Sequence, residues 1–257
     1  MMKVFRSTAP LALLAAFALP AQAADINGTE VAVTVGLDYV DEYVFRGVSF
    51  ASSSFQPYVE AGVGDLTVGL WANTPIGDVA DLGTDEIDLY ASYGFELTDV
   101  ISASVGGTYY HFPEGGSFFS TDGGGTGTYE VNAGVSFDYP FAPFATAYYD
   151  FTLEAFTLEG GVGYDLPTSD RSSLGLGLTA GFVQADGPGD YEYGTVSAGW
   201  SFALTEDAAL TAGVNYTLNS QDGTLGFSRG TLPNGSRFAF TDKDNLFWSG
   251  VGISAGF

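Results

Sequence analysis

A chain of 257 residues with 31 carboxylates against seven basic groups is a poor match for nucleic acid, because neutralising phosphates takes Lys and Arg. It has no cysteine, which removes disulfides and thiolate metal sites from consideration. Glycine, at 36 residues, stands near twice its usual ~7% share, and with 21 Phe and 15 Tyr it describes a chain of strands rather than helices, since these residues form helices poorly.

The first 23 residues read as an export signal. Lys3 and Arg6 make a short basic start, residues 9–19 an apolar core, and Ala21-Gln22-Ala23 an A-x-A cleavage motif. That core is shorter than the roughly 20 residues a helix needs to cross a bilayer, and no later apolar run reaches that length. The expected organisation is a signal peptide over 1–23 and one β-barrel domain over 24–257. Without Lys3 and Arg6, five basic groups remain against the 31 carboxylates.

From residue 31 onward the chain alternates with period two. Val31, Val33, Val35, Leu37 and Tyr39 alternate with Ala32, Thr34, Gly36 and Asp38; Leu210, Ala212, Val214, Tyr216 and Leu218 alternate with Thr211, Gly213, Asn215 and Thr217. Twelve such segments are expected near 31–40, 55–64, 66–74, 86–97, 100–112, 128–140, 143–153, 155–166, 172–184, 192–204, 208–219 and 245–257. Each is about the 9–11 residues of a tilted membrane-crossing strand. Connections after even-numbered segments are tight, as at Gly64-Asp65 and Leu97-Thr98-Asp99. Those after odd-numbered segments are mostly long (41–54, 75–85, 113–127, 185–191 and 220–244), with a short one around Glu154. Short turns on one rim and longer loops on the other are the pattern of an outer-membrane barrel.

Alternation by itself does not say which face meets water, since a soluble barrel alternates too. Here the polar face carries Gly, Ser, Thr, Asn and carboxylates in place of the mixed charges of a soluble exterior, and the final alternating strand closes on Phe257. The fold expected is therefore an all-β transmembrane antiparallel barrel of about 12 strands, with short periplasmic turns, longer extracellular loops and both termini in the periplasm.

Four stretches carry a family resemblance: "EYVFRGVS" (Glu42–Ser49), "LWANT" (Leu70–Thr74), "EIDLYASY" (Glu86–Tyr93) and "YYHFPEG" (Tyr109–Gly115), with "YEVNAGVSF" (Tyr129–Phe137) following in order. In these the chain resembles the TorF-like porin family of proteobacteria, whose hallmark is a Tyr-apolar-Phe-Arg-Gly-x-Ser motif. The match covers the first half of the barrel. It departs from the family at Asp41-Glu42, where Ser and then Asp or Asn are usual, and at Asn73-Thr74, where Ser-Asn is usual. The resemblance implies an outer-membrane channel.

Parity places Asp38, Glu60, Glu86, Asp88, Glu130, Asp138, Asp150, Glu159 and Asp165 on the inner face. Arg46 is the single basic residue between Arg6 and Arg171, and guanidinium binds carboxylate bidentately while staying charged. One reading makes Arg46 a constriction residue facing acidic groups across a pore. The other has it neutralise a local acidic cluster and hold the first strand in register, and a bend near Asp41-Glu42 is needed if Asp38 and Arg46 are both to point inward. The pore-lining candidates are Arg46, Asp38, Glu60, Glu86, Asp88, Glu130, Asp150 and Glu159. His111, the only histidine, reads as a rim residue beside Tyr110 and Phe112. Loop acids Asp78, Asp81 and Asp85 do not have EF-hand spacing, and no catalytic, cofactor or metal site is expected.

The function expected is passive diffusion of small hydrophilic solutes or ions, with cations preferred because an acidic wall concentrates counter-ions. The alternative is a closed or plugged barrel with a structural, adhesive or assembly role, its lumen filled by Tyr58, Trp71, Tyr90, Tyr110, Tyr148 and Trp248. The expected partners are outer-membrane lipids and lipopolysaccharide, the barrel-insertion machinery through the strand ending in Phe257, and a further copy of the chain in a homo-oligomer. Tyr39, Tyr93, Tyr109, Tyr139, Tyr149, Phe151, Phe182, Trp200, Phe202 and Phe257 are expected to form the two interfacial girdles.

Overall fold

Alternating segments with no helical periodicity leave one way to satisfy every backbone group in hydrocarbon, which is a sheet closed on itself. The computed structural model shows that closure. It describes residues 24–26, 28–76, 85–119, 127–185, 190–220, 230–231, 237–238 and 245–257; the expected signal segment 1–23, and Asp78 and Asp81, lie outside them. Twelve strands make the barrel: β1 (Thr29–Val40), β2 (Ser54–Val63), β3 (Leu66–Pro75), β4 (Glu86–Thr98), β5 (Ile101–His111), β6 (Thr128–Phe137), β7 (Phe144–Asp150), β8 (Ala155–Ser169), β9 (Ser172–Ala185), β10 (Tyr191–Ala203), β11 (Ala208–Asn219) and β12 (Asn245–Gly256). Each pairs antiparallel with its sequence neighbours, and β12 closes on β1 with Ile253 opposite Leu37. Mutual bonds between Val33 and Phe257 (2.8 and 3.0 Å) finish the seam.

The strands follow the expected boundaries within a few residues, and the differences have local causes. β6 ends at Phe137 rather than 140, where Pro140 has no N–H for the ladder. β7 ends at Asp150 rather than 153, because the Asp150 carboxylate accepts the amides of Thr152 and Leu153, each at 2.8 Å, and turns the chain. This makes the short seventh connection. Among the described residues the helical structure is one 3-10 turn, Pro113–Gly115.

The apolar side faces out. Val251 and Ile253 on β12 are 52% and 50% exposed, while Ser254 beside them and Trp248 are buried. The same alternation runs through Leu176 and Leu178 on β9, Val105 on β5 and Val131 on β6. A continuous apolar exterior on a closed sheet is the surface of a membrane barrel, and it places the protein in the outer membrane. Aromatic belts flank it. Phe137–Tyr139, Phe141–Tyr164 and Trp200–Phe202 pair near the short-turn rim, and Tyr39–Phe55 and Tyr149–Phe151 near the long-loop rim. Tyr109 departs from the girdle expected for it. It is buried beneath Phe118 and Phe119, which fold back from the following loop against the wall, and its hydroxyl accepts the Phe119 amide at 2.6 Å.

Inward tyrosines are laid flat by glycines on the adjacent strand. Tyr58 lies over Gly36, Tyr90 over Gly69 and Tyr193 over Gly181, each pair directly opposite in the ladder. A Cβ at any of these glycines would overlap the ring. Tyr58 and Tyr90 therefore line the wall instead of filling the lumen, which corrects their expected role as plugging residues. Laid flat, Tyr90 reaches Glu60 with its hydroxyl at 3.0 Å. Gly69→Val should force Tyr90 off the wall and break that bond, costing about 1–3 kcal/mol as an overpacked site. The check is a lower urea midpoint for refolding into detergent, with Gly62→Val, where a Cβ meets only a backbone oxygen at 4.0 Å, as the tolerated control.

Candidate functional site

After Val40 the chain bends at Asp41-Glu42 and folds a short hairpin, Tyr43–Phe45 against Val48–Ala51. Its turn is Arg46-Gly47, with φ of 47° and 81°. Two central residues at positive φ between directly paired Phe45 and Val48 give the tight reversal that suits a two-residue hairpin. Glycine takes that conformation freely; arginine pays roughly 1–2 kcal/mol for it. The strain is tolerated because the guanidinium is held from the other side.

The hairpin enters the barrel from the long-loop rim and crosses it. Its root is fixed to β12, where the Asp41 carboxylate accepts the Ser249 amide at 2.6 Å and the Ser249 hydroxyl at 2.7 Å, while Tyr43 and Val44 pack on Val40, Leu246 and Trp248. Its flank lies on β3 to β5: Tyr43 is 5.6 Å from the Trp71 ring and donates to Glu86 at 3.0 Å, and Phe45 meets Tyr110 edge-on at 6.0 Å. Its tip touches the far wall, with Gly47 against Tyr193 of β10 and its carbonyl accepting Asn219 Nδ2 of β11 at 2.6 Å. A Cβ on Gly47 would strike Tyr193, so glycine is required there by close approach as well as by φ.

Arg46 ends in a cradle. Its two Nη atoms donate to the two carboxylate oxygens of Glu130 on β6, at 2.7 and 2.9 Å. Its Cζ lies 4.4 Å from the Tyr148 ring centre and 4.7 Å from that of Phe45. Tyr110 gives Glu130 a third hydrogen bond at 3.0 Å. Burial works to lower the pKa of the guanidinium, but Glu130 beside it more than offsets this and the net shift is upward; the group stays charged. Burial, followed by the charges of Glu86 and Asp88, pushes the Tyr43 hydroxyl well above its ordinary range, so it remains a donor.

The arrangement revises the sequence reading of Arg46. The bend at Asp41-Glu42 is present, yet Arg46 does not continue the first strand beside Asp38, and it does not fix that strand's register. It binds Glu130 across the lumen and fixes the hairpin. The other candidates all face inward, at different levels. Glu86, Asp88, Glu130 and Asp150 are buried around the hairpin, and Glu159 accepts the Tyr193 hydroxyl beside the tip. Asp38 lies against Gly252, and Glu60 sits deeper, under Tyr90. Asp138 and Asp165 are exposed towards the short-turn rim. Trp71, Tyr110, Tyr148 and Trp248 do fill the lumen, gathered around the hairpin. His111 is at the outer end of β5 as expected, on the outer surface, enclosed by Phe118 at 4.3 Å and Tyr109.

Sequence reasoning missed the hairpin itself, together with Gly47, Tyr193 and Asn219 that receive its tip. The available signal was Arg-Gly set between Tyr-Val-Phe and Val-Ser-Phe, a two-residue turn between alternating runs. Among the described residues no group of three acids or histidines is placed to hold a metal ion.

No known family model and no curated protein sequence matches the chain. Among solved structures it is similar to the NanC porin in a rhombohedral crystal form (13% identity, 88% of this chain and 98% of that one, TM-score 0.52). It is also similar to the KdgM porin (10% identity, 88% and 99%, TM-score 0.51) and to KdgM in complex with disordered oligogalacturonate (10% identity, 88% and 99%, TM-score 0.52). At these identities the likeness is one of fold, and the fold is that of outer-membrane porins.

Proposed function

We propose that the protein is a passive outer-membrane pore for small hydrophilic solutes or ions, cation-preferring, with its narrowest point at the 43–51 hairpin, and that it is a TorF-like porin delivered by the 1–23 signal. The observation that carries this is the lumen's charge. Seven carboxylates (Asp38, Glu60, Glu86, Asp88, Glu130, Asp150 and Glu159) face inward, and the one basic side chain seen among them in the described residues, Arg46, is already bound to Glu130. An unbalanced acidic wall in a narrow channel draws cations in and repels anions. An oligogalacturonate, as found with KdgM, is a polyanion and suits such a wall poorly.

Under a salt gradient across a planar bilayer, the reversal potential should approach the cation's equilibrium value. A potential of the opposite sign would remove the cation preference. A second reading, a plugged barrel with a structural or assembly role, is favoured by the hairpin's span from wall to wall. Liposome swelling separates the two: swelling in small sugars supports the pore, and none in any sugar or salt supports the plug.

A further inference from the structure

The Glu130 cradle is a built site for one chemical group, and that group is on display in it. A carboxylate 3% exposed holds a guanidinium through two in-line hydrogen bonds, with an aromatic face on the cation and a tyrosine hydroxyl steadying the acid. Of these parts, Glu130, Tyr148 and Tyr110 belong to the wall strands β5 to β7; only Phe45 and Arg46 arrive with the hairpin. The wall half of the site therefore survives if the hairpin moves. A planar fork satisfies both carboxylate oxygens at once, which an ammonium does not.

A second, independent observation points to an incoming cation. Asp88 on β4 stands directly opposite Tyr110 in the ladder and is 1% exposed; its carboxyl group is hydrogen-bonded to that of Glu86, and its Oδ1 has no hydrogen-bond partner. Its cross-strand neighbour on the other side is Trp71, also buried. A buried carboxylate oxygen left unpaired is costly, and a cation between two aromatic side chains is what would relieve it. Asp88 thus offers a second carboxylate oxygen to a cation that enters as the hairpin lifts from Trp71 and Tyr110.

We propose that Glu130, with Tyr148 and Tyr110 and with Asp88 beside it, is an exchangeable site for guanidinium-bearing solutes, in which Arg46 is the tethered occupant that such a solute replaces, freeing the hairpin. This rests on the pore reading above and names the solute class it would admit. Because Arg46 is tethered in a hairpin that is itself packed on both walls, its effective concentration exceeds that of a short flexible tether, on the order of millimolar, and a free guanidinium must exceed that range to compete with it.

The test uses methylguanidinium on the full barrel, wild type, Arg46→Ala and Arg46→Ala/Glu130→Gln, with equal sodium chloride as the control. In detergent, millimolar probe should raise the unfolding midpoint of Arg46→Ala, whose cradle is vacated, and leave the double variant unmoved. In bilayers the probe should raise the wild-type mean current and interrupt that of Arg46→Ala. The proposal is overturned if Arg46→Ala shows no shift beyond sodium chloride, if the double variant shifts equally, or if a wild type that conducts shows no change of current with the probe. Should Arg46→Ala fail to refold, Arg46→Gln, which leaves no cation in the cradle, takes its place. The midpoint needs no conductance: a shift in a barrel that never conducts keeps the site and removes the pore, whereas conduction without a shift removes only the site.

Discussion

Deleting residues 43–51 and joining Glu42 to Ser52 through a short glycine turn should raise single-channel conductance several-fold and admit larger sugars in liposome swelling. The hairpin brings Phe45, Arg46 and Phe50 into a lumen already narrowed by Trp71, Tyr110, Tyr148 and Trp248. Beyond it towards the short-turn rim the inward positions are mostly small, as with Gly175, Gly177, Ser197, Gly199, Gly213 and Gly250, and Tyr58, Tyr90 and Tyr193 lie flat on the wall. Resistance in a channel concentrates at its narrowest length, so removing that length changes the whole. The barrel strands keep their own ladder pairs and should still refold. Unchanged conductance in a refolded deletion variant would show that the hairpin is not the limiting constriction.

Glu130→Ala should be the most disruptive single substitution in the lumen. It strands a guanidinium whose side chain is 11% exposed, and removing one partner of a buried pair costs about 3–5 kcal/mol. The chain has a cheaper outlet than unfolding: the hairpin can leave the lumen and return Arg46 to water, giving up the packing of Phe45 and Val44 and the strained φ at Arg46. The expected result is a smaller fall in the refolding midpoint than the full penalty, together with frequent large open events in bilayers. Replacing both partners, Arg46→Met/Glu130→Met, should recover much of the lost stability, since neither charge is then stranded. A double variant as unstable as Glu130→Ala alone would show that the loss came from packing around β6 rather than from the orphaned cation.

The barrel was legible because its information is one-dimensional. Val31 to Tyr39 and Leu210 to Leu218 write inside and outside in strict alternation, and a one-residue slip would turn every valine inward. The same parity put Asp88, Glu130 and Glu159 on the inner face without any knowledge of which strands meet. The hairpin was not legible in this way. Residues 41–54 read as a loop, because nothing in Tyr43–Phe50 states whether that loop rises into solvent or descends into the lumen.

The twelve-strand closure, the apolar exterior and the acidic interior each follow from local periodicity and from the backbone's need for partners in lipid. The pairing of Arg46 with Glu130, 84 residues away, and the docking of Gly47 on Tyr193 and Asn219 of the opposite wall arise only once the barrel has closed. Those contacts depend on the diameter of the closed barrel matching the reach of a nine-residue hairpin, and a diameter is a property of all the strands together rather than of any one of them.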